Sequence, residues 1–316
     1  MYQRVLVPMD GSTCSEQAAS LALSFAARLG AEVQFLYVAF KPSETNTDSE
    51  WERTEAHLGE MLLEHWARQA AEKQLVVGTR VELGSVPECI VRAAETLNCD
   101  LIIMGTHGRS GMDRVLLGSV AERVSRLSTR PLLLVRPGTV HLDPSTWTRL
   151  LIPLDGSTSN ANTLQHATEL AASCQLAVHL VSMVPDLPTM GSFPGTFFND
   201  TEVYQLVEMH TTKMLEHAEQ QLRKAGVTVE AVDMLQQRAS QQRIGDIIVS
   251  AVTARNADLI VMGAHGHGGL DRLLLGSVAE RVTLLSPVPV LLIKEPLRAE
   301  RGAHGSPTPT AMVLNN

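Results

Sequence analysis

Short runs of aliphatic and β-branched residues alternate along this chain with longer stretches in which apolar positions recur every three or four residues. In the first half the runs are Arg4–Pro8, Glu32–Val38, Thr79–Leu83, Asp100–Met104 and Leu132–Val135, each of strand length. Helical patterns fill the intervals at Ser15–Leu29, about Glu50–Lys73, Pro87–Leu97 and Ser119–Leu127. The second half repeats the scheme, with strands near Leu150–Pro153, Ala177–Met183, Thr228–Met234, Asp258–Met262 and Val290–Ile293. Strict alternation of strand and helix is the mark of a parallel sheet covered on both faces. The pattern therefore predicts an α/β protein of two tandem doubly wound domains, each a five-stranded parallel sheet.

The repetition is also written in the residues. Arg4-Val5-Leu6-Val7-Pro8-Met9-Asp10-Gly11-Ser12 aligns with Arg149-Leu150-Leu151-Ile152-Pro153-Leu154-Asp155-Gly156-Ser157, so that Asp10 meets Asp155. The string Leu116–Val124 recurs unchanged as Leu274–Val282, so that Gly118 meets Gly276. The second spacing exceeds the first by about thirteen residues, which places a longer loop in the second copy at Pro185–Asp200. A period of about 150 residues is a whole domain rather than one layer of a solenoid. The boundaries follow as 1–140 for the first domain, 148–296 for the second and 297–316 for a mobile C-terminal tail.

Composition narrows the class. With 316 residues, 44% hydrophobic and 19% charged, the chain is long enough for two cores, and aromatics at 4% leave the packing to aliphatic side chains. The formal charge of −8 repels polyanions and argues against nucleic acid as the main partner. Cys14, Cys89, Cys99 and Cys174 lack CxxC spacing and read as reduced thiols, which suggests a cytoplasmic protein. No export signal or membrane-spanning run is visible, so no membrane partner is expected.

Ligands of doubly wound sheets sit beyond the carboxyl ends of the strands where the strand order reverses. That rule selects Pro8-Met9-Asp10-Gly11-Ser12 and the segment Met104-Gly105-Thr106-His107-Gly108 through Arg109 to Gly118-Ser119, with spacing G-x2-G-x9-G-S. Gly263, Gly266 and Gly276-Ser277 repeat that spacing. Glycines let the backbone approach a ligand, and a helix start offers unpaired N–H groups to an anion, so phosphate is the natural guest. Asp10 and Asp155 can accept from a ribose hydroxyl or an adenine amine, and Arg109 can reach a phosphate. Plainer readings exist for the same residues. Asp10-Gly11-Ser12 also suits a turn and N-cap, and Ser119-x-x-Glu122 and Ser277-x-x-Glu280 also suit a capping box. His107, His265 and His267 read as loop histidines rather than metal ligands. Neither a P-loop nor a G-x-G-x-x-G fingerprint is present.

Together the strand-one Pro-x-Asp-Gly-Ser, the Asp-Leu-Ile-[Ile/Val]-Met-Gly-x-His-Gly segment, the Leu-Leu-Gly-Ser-Val-Ala-Glu-Arg-Val helix start and the final Pro-[Leu/Val]-Leu-Leu strand are specific. From Val5 to Glu295 the chain resembles the universal stress protein family in its tandem form. The resemblance implies an adenine nucleotide alpha hydrolase-like fold with strand order 3-2-1-4-5 in each half, and membership of the ATP-binding branch. It implies that Gly105, Gly108, Gly118, Ser119 and Val120 hold phosphates beside Met104 and Arg109. Asp10 would hold the ribose or base, and Pro8 and the backbone at Val38 would frame the adenine. In the second copy the matching residues are Pro153, Asp155, Met183, Met262, Gly263, Gly266, His267, Gly276, Ser277 and Val278. The implied cofactor is ATP, or ADP or AMP, with magnesium arriving on the nucleotide. The resemblance also implies an internal pseudo-dimer through Pro131–Val135 and Pro289–Ile293, and allows a homo-oligomer beyond it.

Three functions then compete: a nucleotide-dependent stress-response or signalling module, a slow ATPase or phosphate-transferring enzyme using the same loops, and a scaffold that binds nothing. The first is favoured, because no dedicated base, lysine clamp or nucleophile accompanies the glycines. If the loop carries binding, Gly118→Val is expected to remove nucleotide while leaving the ligand-free melting behaviour nearly intact.

Overall fold

The computed structural model of the chain describes residues 1–39, 49–108, 116–157, 159–184, 200–236, 243–265 and 275–294. The long second-copy loop expected at Pro185–Asp200 and the expected tail 297–316 lie outside these residues, save Asp200, but the element bounds correct the placement of the extra residues: some fall between Val184 and Asp200 and others between Gln236 and Ile244. In the first half the elements run β1 (Arg4–Met9), α1 (Thr13–Leu29), β2 (Glu32–Ala39), α2 (Ser49–Glu72), β3 (Val77–Leu83), α3 (Val86–Thr96), β4 (Leu101–Gly105), α4 (Ser119–Leu127) and β5 (Leu132–Val135). The second half gives β6 (Arg149–Leu154), α5 (Ser159–Cys174), β7 (Ala177–Val184), α6 (Asp200–Lys224), β8 (Val229–Gln236), α7 (Ile244–Arg255), β9 (Leu259–Gly263), α8 (Ser277–Leu285) and β10 (Val290–Ile293). A 3₁₀ turn, Pro144–Thr146, sits between the halves.

Each half shows the order 3-2-1-4-5, and the two are joined into one ten-stranded sheet by antiparallel pairing of β5 with β10. Leu132, Leu133 and Leu134 register against Leu292, Leu291 and Val290, so each half covers the other's apolar edge. Because side chains alternate along a strand, the sheet has two faces with separate cores. Val5, Val7, Leu101, Ile103, Leu133, Leu150 and Leu291 pack with α1 and α2 and with their repeats α5 and α6 on one face. Leu6, Ile102, Leu132, Leu134, Leu151 and Leu292 pack with α3 and α4 and with α7 and α8 on the other. Both cores run through the junction.

Polar contacts reinforce the joint. The Arg136 guanidinium, just after β5, donates to the carbonyls of Leu285 and Ser286 at the end of α8, at 3.4 and 3.3 Å. Its counterpart after β10, the buried Lys294 ammonium, donates to the carbonyl of Ser125 in the last turn of α4. Each half thus supplies a cation to the carboxyl end of the other half's short helix, where the helix dipole and unpaired carbonyls favour it. Val140 N–H donates to Pro287 O at 2.7 Å, and Tyr2 stacks on His166 across the halves.

The register explains where a crevice forms. β1 pairs with β2 from Arg4 to Met9, but with β4 only at Val5 and Leu6. Pro8, with no backbone N–H to give to a ladder, falls where the β1–β4 pairing has already ended. Pro153 repeats this in β6, which registers with β9 only at Leu150 and Leu151.

Candidate nucleotide site

At the parting of β1 and β4 lies a cavity of about 410 Å³, within the usual range for small-molecule sites. Its walls include nine of the ten first-half residues singled out in the sequence: Pro8, Asp10, Val38, Met104, Gly105, Gly108, Gly118, Ser119 and Val120. The tenth, Arg109, lies outside the described residues.

Asp10 follows β1 directly. Its Oδ1 accepts from the Ser12 amide at 3.0 Å and the Ser12 hydroxyl at 2.6 Å, which locks the turn and holds the carboxylate in the cavity wall. Ser12 in turn caps α1, its hydroxyl accepting from Ser15 N–H at 3.2 Å. The turn-and-cap reading of Asp10-Gly11-Ser12 is thus correct and compatible with a site. The cap also moves the start of α1 from the expected Ser15 to Thr13.

The glycines have distinct steric reasons. A Cβ on Gly105 would fall 2.8 Å from Cys14 Sγ and 3.0 Å from the Cys14 backbone, so glycine lets the start of α1 close onto the end of β4. At Gly118 a Cβ would come 2.6 Å from the carbonyl oxygen of Thr106, the same oxygen that accepts from Gly118 N–H at 2.9 Å. Gly108 differs: its nearest obstacle is Asp10 Oδ2, 2.6 Å from the notional Cβ. Gly108 therefore lies against the carboxylate across the crevice. The expectation for Gly118→Val needs correction, because its Cβ meets backbone and the substitution would cost folding stability with no ligand present.

The capping-box reading of Ser119 is also corrected. Gly118 is the N-cap of α4, with no side-chain cap bond, and Ser119 is the first helical residue, exposed beside the cavity. Glycine at the cap leaves no side chain to occupy the first-turn amides, so the N–H groups of Ser119, Val120 and Ala121 have no partner within the helix. Apolar walls complete the cavity with Leu36, Val38, Val86, Ile90 and Met104. Thr106, buried, holds His107 by a 2.9 Å contact from its hydroxyl to Nδ1. Nearby, burial pushes the Cys14 thiol up, and its Sγ donates to Val135 O at 3.1 Å, so it packs rather than reacts.

Sequence reasoning missed Tyr37 and Glu55 in the walls. Glu55 comes from α2, and only the docking of that helix on β2 brings it there. No spacing motif signals it.

The family model described as the universal stress protein family matches residues 1–136 and 146–294. This chain belongs to the universal stress protein family. A universal stress protein of Methanocaldococcus jannaschii is 36% identical over 141 residues, 43% of this chain and 83% of that protein. One from Mycobacterium tuberculosis is 23% identical over 307 residues, 92% of this chain and 97% of that protein. Among solved structures, a universal stress protein from Archaeoglobus fulgidus superposes with a TM-score of 0.68 at 21% identity, covering 92% of this chain and 96% of that one. Both repeats and the doubly wound fold are thereby established.

In the second universal stress protein repeat the same local structure recurs. Gly276 caps α8 without a side-chain bond, its N–H donates to Ala264 O at 2.9 Å, and Ser277 opens the helix. Asp155 Oδ1 accepts from Ser157 N–H at 2.9 Å. Met262 is buried, whereas Pro153, Met183, Gly263 and Val278 are half-buried; Gly266 and His267 lie outside the described residues. Two differences stand out. Asp155 is exposed where Asp10 is half-buried, and Ala264 replaces Thr106, which removes the hydroxyl that holds the histidine. Homologous ion pairs tie the helices beside each site, Arg123 to Glu88 and Arg281 to Asp246.

Among the described residues no helix is long and apolar enough to cross a membrane, and no group of three or more His, Cys, Asp or Glu side chains is placed to hold a metal ion.

Proposed function

We propose that this universal stress protein binds an adenine nucleotide, ATP foremost, in the first-half cavity, and that occupancy serves a stress-response or signalling role. The observation that carries the reading is one cavity that joins the side-chain-free start of α4 to the Asp10 carboxylate and an apolar slot. The start of α4 suits the phosphates, the slot suits the base, and Asp10 suits a donor on the ribose or base. A magnesium ion would be brought on the phosphates, where it neutralises charge, rather than held in a protein cage.

The second repeat offers the same helix start and is proposed as a weaker site, since its aspartate is exposed and Ala264 stands where the first repeat has Thr106. Nucleotide acts here by binding one arrangement of the protein more tightly than another.

Calorimetric titration of the nucleotide-free chain with magnesium–ATP tests the reading. Expected are two classes of site, the tighter near micromolar, about −8 kcal/mol. Absence of heat at several temperatures, with no thermal stabilisation by the nucleotide, would overturn it. Catalytic formation of ADP in the same samples would favour the enzyme reading, with His107 the polar group to mutate first.

A further inference from the structure

A glycine in the middle of a helix costs about 1 kcal/mol relative to alanine, so Gly59 inside α2 calls for a reason. The reason is a ring. A Cβ at Gly59 would fall 2.4 Å from Cδ1 and 2.7 Å from Cγ of Tyr37, so the tyrosine lies flat on the bare helix backbone. Tyr37 is buried, and its hydroxyl donates to Oε2 of Glu55, one turn before Gly59, at 2.8 Å. Both Tyr37 and Glu55 line the cavity. A rigid phenol thus fixes an acidic side chain in the wall of the site, at the expense of helix propensity.

The sheet order shows which part of a ligand this carboxylate faces. The glycine loop follows β4, Asp10 follows β1, and Tyr37 and Glu55 belong to β2 and to α2, which packs on β2. These are three successive stations along the order 4-1-2. With phosphates at the start of α4, the Tyr37–Glu55 station lies at the opposite end, on the nucleoside. A carboxylate only accepts hydrogen bonds and repels phosphate, so it selects a ligand that presents a donor there.

The second repeat has none of this. Strand register equates Tyr37 with Ser182, whose hydroxyl donates to Leu154 O at 2.8 Å. The matching burial of Leu63 and Leu215 equates Gly59 with Thr211 and Glu55 with Val207. All three members of the device change together.

We infer that Glu55, held by Tyr37 against Gly59, is a specificity-determining residue of the first site, reading a hydrogen-bond donor on the nucleoside, a ribose hydroxyl or the exocyclic amine of the base. The inference rests on the nucleotide reading given above.

The test uses the full chain carrying Ser277→Glu, which sets a negative charge on the first turn of α8 to silence the second site while favouring the helix. Affinities are measured for ATP, 2′-deoxy-ATP, 3′-deoxy-ATP and inosine triphosphate, with Glu55 intact, as Glu55→Gln and with Tyr37→Phe. With Glu55 intact, one analogue is expected to bind roughly tenfold more weakly than ATP, the scale of a hydrogen bond to a charged acceptor. The analogue that weakens identifies the donor. In Glu55→Gln that ratio should fall to about twofold or less, and in Tyr37→Phe to an intermediate value. The ratio is insensitive to any general loss of fold. If ATP binds but every ratio is the same with and without Glu55, the inference fails and the proposed function stands. If the chain with Glu55 intact binds no nucleotide, both fall.

Discussion

At the scale of single residues, the three glycines of the first loop are not equivalent probes. Gly105 and Gly118 are held small by the protein's own backbone, whereas Gly108 is opposed, among the described residues, by the tip of the Asp10 side chain. Gly118→Val should therefore destabilise the ligand-free chain by more than about 1 kcal/mol, read from denaturant unfolding without nucleotide. Ser119 is the cleaner handle, being exposed, first in its helix and free of any capping role. Ser119→Glu should weaken magnesium–ATP at the first site at least tenfold in calorimetry, through repulsion of phosphate, while the ligand-free melting midpoint moves by no more than about 2 °C. A variant that melts normally and binds normally would remove α4 from the site. Asp10→Asn keeps an acceptor for Ser12 but loses the charge. Its expected result is a roughly tenfold loss of affinity with a small change in stability.

At the scale of elements, α4 and α8 are nine-residue helices that work at both ends. One end opens on a candidate site, and the other is held by a cation from the opposite half, Lys294 for α4 and Arg136 for α8. Burial lowers the Lys294 ammonium from 10.5 to about 8. Below about pH 8 both folded and unfolded chains keep that proton, and its contribution is constant. Between about 8 and 10.5 the unfolded chain still holds the proton while the folded chain gives it up, so this residue's contribution to stability rises with pH across that window. The difference between the native chain and Lys294→Met, read by denaturant unfolding at several pH values, should show a rise of about 1–3 kcal/mol. A flat difference would mean that Lys294 stays charged in the folded protein.

At the scale of the whole molecule, what could be read in advance follows from which interactions are local. Strand alternation, the internal repeat and the glycine spacing are carried by residues close in sequence, whereas the strand order came only with the family resemblance; nine of ten first-half candidates do gather in one cavity. The start of α4 at Ser119 is legible in the sequence, but the alternative capping box of Ser119 and Glu122 does not form, because Gly118 takes the cap position. Glu55 was invisible because its place depends on how α2 lies on β2, a matter of tertiary packing around Tyr37. Because both cores pass unbroken through the β5–β10 junction, calorimetric unfolding of the ligand-free chain should be one cooperative transition. Two resolved transitions would show that the halves melt as separate bodies. The junction has a further consequence. Two identical chains meeting across such a seam would be bound to present twin sites, since every change in one is copied in the other. Here the two sides of the seam are encoded separately, so Tyr37, Gly59 and Glu55 in one half can have Ser182, Thr211 and Val207 as their equivalents in the other, an unequal pair in a fixed one-to-one ratio at any dilution.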